Sequence, residues 1–313
     1  MARRFFWFTV LILFALTAYT GGWYWAADRL VQEVRARTGD LGGGRSVACE
    51  NPQVGGFPFR IGLYCDHISY AQSGRLDVQG GAFRSAAQIY DPFRVVAETD
   101  GPARLTFAGY VPLDLSWSNA QASARLAQPL PEIVSTDFHD LSVTADAADR
   151  PELASAARFQ VHTRPDGRNL EVGVRFAALS AGQALTGGVL APLDGVVDVV
   201  WEEGVSRIGR DVAGSRFQLR NIEISGPDGS RLIATGVASV GEDRLVDAEL
   251  TLTVENVAAA SAMLSRAFPA IASQIASVAA GLNAMGERPS LPLTIVDGAI
   301  SLGFLPIGFL PPV

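Results

Sequence analysis

The stretch Asp247–Glu255, DAELTLTVE, decides the fold class of this chain. Its apolar residues alternate strictly with acidic residues and threonine, a period of two that is typical of a strand with one buried and one solvated face. Similar alternation recurs in Leu113–Ser118, Leu141–Ala145 and Leu170–Phe176. We therefore predict a mainly β (α+β) protein in which a large, curved antiparallel meander sheet dominates.

The composition agrees with many turns and excludes several classes of function. The 313 residues are 48% hydrophobic and include 32 Gly and 17 Pro, and Asp-Gly pairs precede several of the alternating segments. All basic residues are arginine, so chemistry that needs a lysine amine, such as a Schiff base or a P-loop contact, is excluded. The net charge of −7 makes a nucleic-acid partner unexpected.

The N-terminus contains an apolar run, Phe5–Ala27, that is long enough to cross a bilayer. Arg3 and Arg4 precede the run, and the positive-inside rule then keeps the N-terminus cytoplasmic and exports the rest of the chain. A cleaved signal peptide is the alternative, although the run exceeds the usual length of such a segment. The aromatic residues expected at the far membrane interface are Trp23, Tyr24 and Trp25.

The predicted organisation has three parts. Residues 1–27 form the cytoplasmic tip and transmembrane anchor, and residues 28–47 form a stalk helix that ends near Gly39, followed by a Gly linker. Residues 48–313 form the exported β-rich domain. We expect a protein that spans the membrane once, with its N-terminus in the cytoplasm and most of its chain exported.

The two cysteines agree with export. Cys49 and Cys65 enclose 15 residues, and we predict that they form a disulfide, which persists in an oxidising compartment. Two free buried thiols are the alternative, because one pair alone does not establish a disulfide framework. No metal is expected, since two thiolates leave a tetrahedral zinc site incomplete.

One helical segment, 257–286, interrupts the strands. Its apolar residues step alternately by four and three along one face, and Pro269 is expected to divide it into two helices. We predict that this face packs on the apolar side of the sheet, while a second transmembrane span is the alternative. The residues predicted to form a lid or to line an apolar groove are Leu264, Phe268, Ile271, Ile275, Val278 and Leu282.

The last segment, 290–313, is an apolar tail in which the pattern Gly-Phe-Leu-Pro occurs twice, at Gly303 and at Gly308. A final strand followed by an extended segment docked on the protein itself is one interpretation. A membrane or lipid contact is the other.

We find no nucleophile elbow, zinc-binding helix or phosphate-binding glycine loop, so we expect no enzymatic activity and no cofactor. The segment from Cys49 to Cys65, with Gly56-Phe57-Pro58-Phe59-Arg60 between the cysteines, resembles a family of anchored bacterial envelope proteins, domain of unknown function 2125. The resemblance extends to the tail and implies no established activity. It implies that the membrane is a bacterial inner membrane, spanned once, with most of the chain in the periplasm. The Asp-Gly hairpins and single anchor are also similar in architecture to AsmA-type proteins, whose long curved sheets are thought to hold lipid.

Two functions are compatible with these features. One is lipid binding or envelope maintenance through an apolar groove on the sheet, with phospholipid as the partner in addition to the inner membrane. The other is a structural or protein-interaction module with a closed core and no ligand, whose partner would be another envelope protein.

Overall fold

The computed structural model describes residues 2–209, 211–303 and 305–313. A long helix, α1 (Ala2–Arg37), comes first, and antiparallel strands account for most of the remaining chain. The chain divides into two compact units, Met1–Asp114 and Leu115–Val313, which we call unit 1 and unit 2. The boundary between the two units falls within residues 48–313, the range predicted to form the exported domain.

Unit 1 combines α1 with short strands in two antiparallel ladders. One ladder joins β1, β2, β5, β6 and β9, and the other joins β3, β4, β7 and β8. The strands of this unit are β1 (Gly39–Gly42), β2 (Arg45–Cys49), β3 (Gln53–Gly55), β4 (Arg60–Cys65), β5 (Ile68–Gln72), β6 (Leu76–Gly80), β7 (Phe83–Gln88), β8 (Asp91–Thr99) and β9 (Ala103–Phe107).

The glycine-rich segment after α1 differs from the expected linker. Gly42, Gly43 and Gly44 have φ angles of 77°, 63° and 72° and form the turn of the β1–β2 hairpin. A left-handed backbone strongly favours glycine, so these three glycines form a tight turn here and not a flexible linker. The helix itself continues through the predicted stalk and ends beside Gly39, as the sequence indicated.

Unit 2 is built on a long antiparallel meander in which each strand from β11 to β21 pairs with the next. This order confirms the predicted fold class, and the half-buried pattern of β18 confirms the alternation of its apolar residues. The strands are β11 (Asn119–Arg125), β12 (Ile133–Ala145), β13 (Glu152–Asp166), β14 (Asn169–Ala181), β15 (Leu193–Trp201), β16 (Arg216–Ser225), β17 (Arg231–Val240), β18 (Val246–Glu255), β19 (Ser290–Val296), β20 (Ala299–Leu302) and β21 (Leu305–Phe309); β10 (Leu113–Ser116) contains the division between units.

The helical segment forms two helices, as predicted from Pro269. A 3-10 turn, Pro269–Ile271, separates α3 (Val257–Ala267) from α4 (Ala272–Asn283), and we call this pair the helical hairpin. The Asn256 side chain caps α3 by accepting a hydrogen bond from the Ala259 amide. A shorter helix, α2 (Gln183–Thr186), lies in the connection between β14 and β15.

The apolar tail continues the sheet. Strands β19, β20 and β21 pair in order, and the Val313 amide donates a hydrogen bond to the Arg244 carbonyl oxygen at 3.0 Å. Every residue of β21 is exposed. Phe304, in the first copy of the repeated tail pattern, lies outside the described residues.

Candidate functional site

The sheet of unit 2 has an unbroken row of apolar side chains across seven strands. Because directly paired residues of neighbouring strands point to the same side, the register defines the row. With the usual spacing of about 4.8 Å between strands, the row is about 29 Å long. Its members, from β13 to β19, are Val161, Val174, Val197, Ile222, Ala234, Leu252 and Leu291.

Two parallel rows widen this surface, which we call the apolar face. On one side Phe138, Phe159 and Phe176 pair in succession, and Phe176 is opposite Gly195. A Cβ atom at Gly195 would come within 2.2 Å of the Phe176 ring, so glycine leaves the space that this ring occupies. On the other side the row consists of Thr163, Val172, Val199, Leu219, Gly236, Leu250, Leu293 and Leu302.

The opposite side of the sheet is polar and carries cross-strand ion pairs. Arg158 donates to both carboxylate oxygens of Asp137, at 3.0 and 2.6 Å, and these hydrogen bonds lower the pKa of Asp137. Glu171 accepts hydrogen bonds from Arg220 at 2.8 Å and from Arg164 at 3.0 Å, which together lower the pKa of Glu171. These charged residues alternate along their strands with the apolar rows and therefore lie on the opposite side, so the two sides of the sheet differ in polarity.

The helical hairpin covers one end of the apolar face. A buried cluster contains Val254 of β18, Val257 and Ala260 of α3, and Ala279 and Leu282 of α4. The half-buried residues packed against this cluster come from β17, β18, β19 and α4, namely Leu232, Leu252, Leu291 and Val278. The hairpin therefore closes the core over β17 to β19.

The six residues of the predicted stripe are not equivalent. Leu282 is 7% exposed, whereas Ile271, in the 3-10 turn, is 46% exposed. The remaining four are half-buried: Leu264, Phe268, Ile275 and Val278. The break at Pro269 interrupts the regular rotation on which the stripe depended.

The residues of α3 that pack most tightly are Val257, Ala260, Met263 and Ala267, with exposures of 5%, 4%, 2% and 0%. Sequence reasoning missed them because alanine carries little hydrophobic signal. Their spacing of three, three and four residues is nevertheless that of one helix face, and it was available in the sequence.

The apolar face is only partly covered on the strands before β17. Val161, Val174, Val197 and Ile222 are all half-buried, whereas Phe176 in the neighbouring row is 9% exposed. A contiguous apolar surface of this kind is unusual for a soluble monomer and typically marks a binding site.

Unit 1 carries the disulfide and the expected interface aromatics. The predicted bond between Cys49 and Cys65 is present, with Cα atoms 5.3 Å apart. Within the loop that it closes, Phe57 contacts α1: its ring centroid lies 5.5 Å from that of Trp23 and 6.0 Å from that of Tyr24. Trp23 is only 7% exposed, so it joins α1 to the β-rich part of unit 1, whereas Tyr24 and Trp25 are 60% and 72% exposed.

Helix α1 is the candidate membrane anchor. Within the described part of the chain, it is the one helix that is long and apolar enough to cross a bilayer, and its apolar section is fully exposed. The disulfide indicates an oxidising compartment.

These features define a class: β-rich proteins with one candidate membrane anchor at the N-terminus and a sheet that is apolar on one side. The sequence model of one protein family matches residues 23–311. This family consists of uncharacterized proteins conserved in bacteria, domain of unknown function 2125. The chain belongs to this family, as the sequence around Cys49–Cys65 predicted. A search of the curated proteins found no match. The architectural similarity to AsmA-type proteins stays a prediction.

Proposed function

We propose that this protein is a non-enzymatic, membrane-anchored envelope protein that binds phospholipid on the apolar face of unit 2. The proposal rests on one observation: an unbroken row of apolar side chains crosses seven strands, and the helical hairpin covers this row only at β17 to β19. The part of the row that the hairpin leaves uncovered, from β13 to β16, spans about 14 Å at about 4.8 Å between strands, which is close to the ~15 Å of hydrocarbon in one leaflet and therefore to the length of an acyl chain.

The proposed location is the bacterial inner membrane, with the N-terminus in the cytoplasm, α1 across the membrane, and the β-rich part of unit 1 and all of unit 2 in the periplasm. Arg3 and Arg4 before the apolar run support this orientation, and the disulfide supports an exported location for the β-rich part of unit 1. Anchoring would keep the protein at a membrane that supplies phospholipid.

A photo-crosslinking amino acid at Val174 tests lipid binding in the full chain. Val174 is on the apolar face between Val161 and Val197, whereas the next residue, Arg175, is exposed on the polar side. After irradiation in membranes, mass spectrometry should find phospholipid adducts at position 174 and few at position 175. The matched pair keeps strand, depth and expression constant.

Equal adducts at both positions, or lipid at neither, would contradict lipid binding on this face. Protein adducts at position 174 in place of lipid would favour the alternative function, a module that interacts with another envelope protein.

Orientation has its own test. With the native cysteines joined, Tyr110→Cys and Ala2→Cys each add one free thiol, Tyr110 is 77% exposed, and both N-terminal arginines are kept. In intact spheroplasts, a membrane-impermeant maleimide should label position 110 and should label position 2 only after lysis. Labelling of position 2 before lysis would exclude the proposed orientation.

A further inference from the structure

Four large apolar side chains of unit 1 project at the end of the unit where the disulfide loop meets α1. Phe59, Ile89, Tyr90 and Phe93 are 69%, 38%, 77% and 64% exposed, and we call this group the tip. The Ile89 amide donates a hydrogen bond to the Phe59 carbonyl oxygen at 3.1 Å, which joins the loop to the β7–β8 hairpin. Such a group in water is costly and indicates an interaction surface.

The irregular backbone of β8 contributes to this exposure. Gln88 pairs with Asp91 and Ala87 pairs with Val95, so the register shifts between these two pairs. The extra residues of β8, which include Phe93, have no partner in β7 and bulge out of the ladder. Bulges commonly redirect a side chain for function, and here Phe93 is turned outward.

Two hydrogen bonds fix the tip at a known height along α1. The Trp23 indole nitrogen donates to the Arg60 carbonyl oxygen at 2.9 Å, and the Tyr19 hydroxyl donates to the Pro58 carbonyl oxygen. From Arg60 to Pro58 the loop therefore runs along α1 towards the N-terminus of the helix.

That height coincides with the membrane surface. If the hydrocarbon layer begins at Phe5, a thickness of about 30 Å ends near Tyr24, because a helix rises about 1.5 Å per residue. Trp23 then lies at the hydrocarbon boundary and Tyr19 about 7 Å inside it, so the loop that contacts both residues lies at the membrane interface, from the boundary to about 7 Å below it.

We infer that the tip inserts into the outer, periplasmic surface of the same bilayer that α1 spans, as a second membrane contact of unit 1. Interfacial segments typically bury apolar side chains about 5–10 Å into this region. Exposed Arg60 and Arg94 follow Phe59 and Phe93 in sequence, and their guanidinium groups suit lipid phosphates. The inference rests on the proposed anchoring by α1.

The bilayer is the occupant that this geometry favours over a soluble protein. Two contacts with α1 hold the loop at the membrane interface, so a protein partner would have to displace lipid in order to reach the tip. Two contacts along one helix also restrict tilting of the β-rich part of unit 1 relative to α1. This restriction keeps the tip at the membrane surface.

Spin labels on the full chain in nanodiscs of phosphatidylcholine and phosphatidylglycerol test the inference. The variants Tyr90→Cys and Phe93→Cys each provide one free thiol at the tip, because the native cysteines are joined. The ratio of collisions with oxygen to collisions with a water-soluble nickel complex rises with depth in a bilayer. We expect it to be severalfold higher at both tip positions than at the control position, Tyr110→Cys.

Tyr110 is a closely matched control. It is a tyrosine of the same unit with the same exposure of 77%, but it follows β9 at the far end of the ladder, where Phe107 pairs with Leu76. The register aligns that end, through β5 and β2, with the glycine turn of the β1–β2 hairpin. From Tyr19, α1 rises about 27 Å to Arg37 before the chain enters this hairpin.

A label at Phe14→Cys, in the middle of the apolar run, separates the two proposals. If position 14 reports bilayer depth while positions 90 and 93 are as aqueous as position 110, the tip inference is overturned and anchoring stands. If position 14 is aqueous, both are overturned. If positions 14, 90 and 93 report depth and position 110 does not, the tip is a membrane contact.

Discussion

Truncation of Leu282 to alanine measures how tightly the helical hairpin closes the end of the apolar face. Leu282 is 7% exposed and packs in the cluster with Val254, Val257, Ala260 and Ala279. The change removes three carbon atoms, worth about 2.4 kcal/mol at about 0.8 kcal/mol each. The cavity left in a rigid cluster raises this cost, so we expect a loss of about 3 to 4 kcal/mol in the free energy of unfolding.

Ile271→Ala is the control, because Ile271 belongs to the same predicted stripe but is 46% exposed. About half of the transfer cost is then absent and no closed cavity forms, so we expect a loss of about 1 kcal/mol. Urea unfolding of the full chain in detergent micelles, followed by circular dichroism, measures both. With a slope of about 2 kcal/mol per molar urea, Leu282→Ala should lower the midpoint by about 1.5 M. Equal shifts for the two variants would refute the packing described for the hairpin.

Three further predictions concern the disulfide, the alternation of β18 and the charges of the polar face. Cys49→Ser should lower the free energy of unfolding by about 3 kcal/mol, because the 15-residue loop regains entropy in the unfolded chain, and a reductant should destabilise the natural protein but not the variant. Leu252→Asp should unfold or aggregate unit 2, because it places a charge against the buried cluster. Thr251→Asp, on the exposed side of the strand, should change the free energy of unfolding by less than about 0.5 kcal/mol. Similar effects of the two variants would show that the strand faces are misassigned. The hydrogen bonds that Glu171 accepts from two arginines lower the pKa of its carboxyl in the folded state. The stabilising contribution of Glu171 is therefore present above the ordinary pKa of 4.5 and is lost as the pH falls through the folded-state pKa. The stability difference between Glu171→Gln and the natural protein should shrink between pH 7 and pH 3, and a constant difference would contradict this origin.

Local patterns in the sequence were sufficient for the secondary structure. The alternation of Asp247–Glu255 predicted β18, and Pro269 predicted the break between the two helices. Side chains that alternate along a strand must face opposite sides, and proline has no amide hydrogen to continue a helix, so neither result depends on distant residues. The disulfide was predicted from two cysteines and the expectation of export, and the structure confirms it.

The candidate site required more than local patterns. An apolar row across β13 to β19 exists only because the register places Val174 beside Val161 and Val197. A shift of one residue in any pair would turn a whole strand over, and no short stretch of sequence specifies that register. The sequence therefore predicted an apolar side of the sheet but could not show where it is closed and where it is open.

The sequence by itself determined the apolar span, the one-sided strands, the two helices and the cysteine pair, because each depends on residue types at short spacing. Only the tertiary structure decided that Trp23 packs against Phe57, that small residues of α3 form its buried side, and that the loop of the tip is hydrogen-bonded to α1. These features depend on contacts between residues far apart in the chain. Such contacts are selected by the packing of whole elements, in which shape and register matter as much as hydrophobicity.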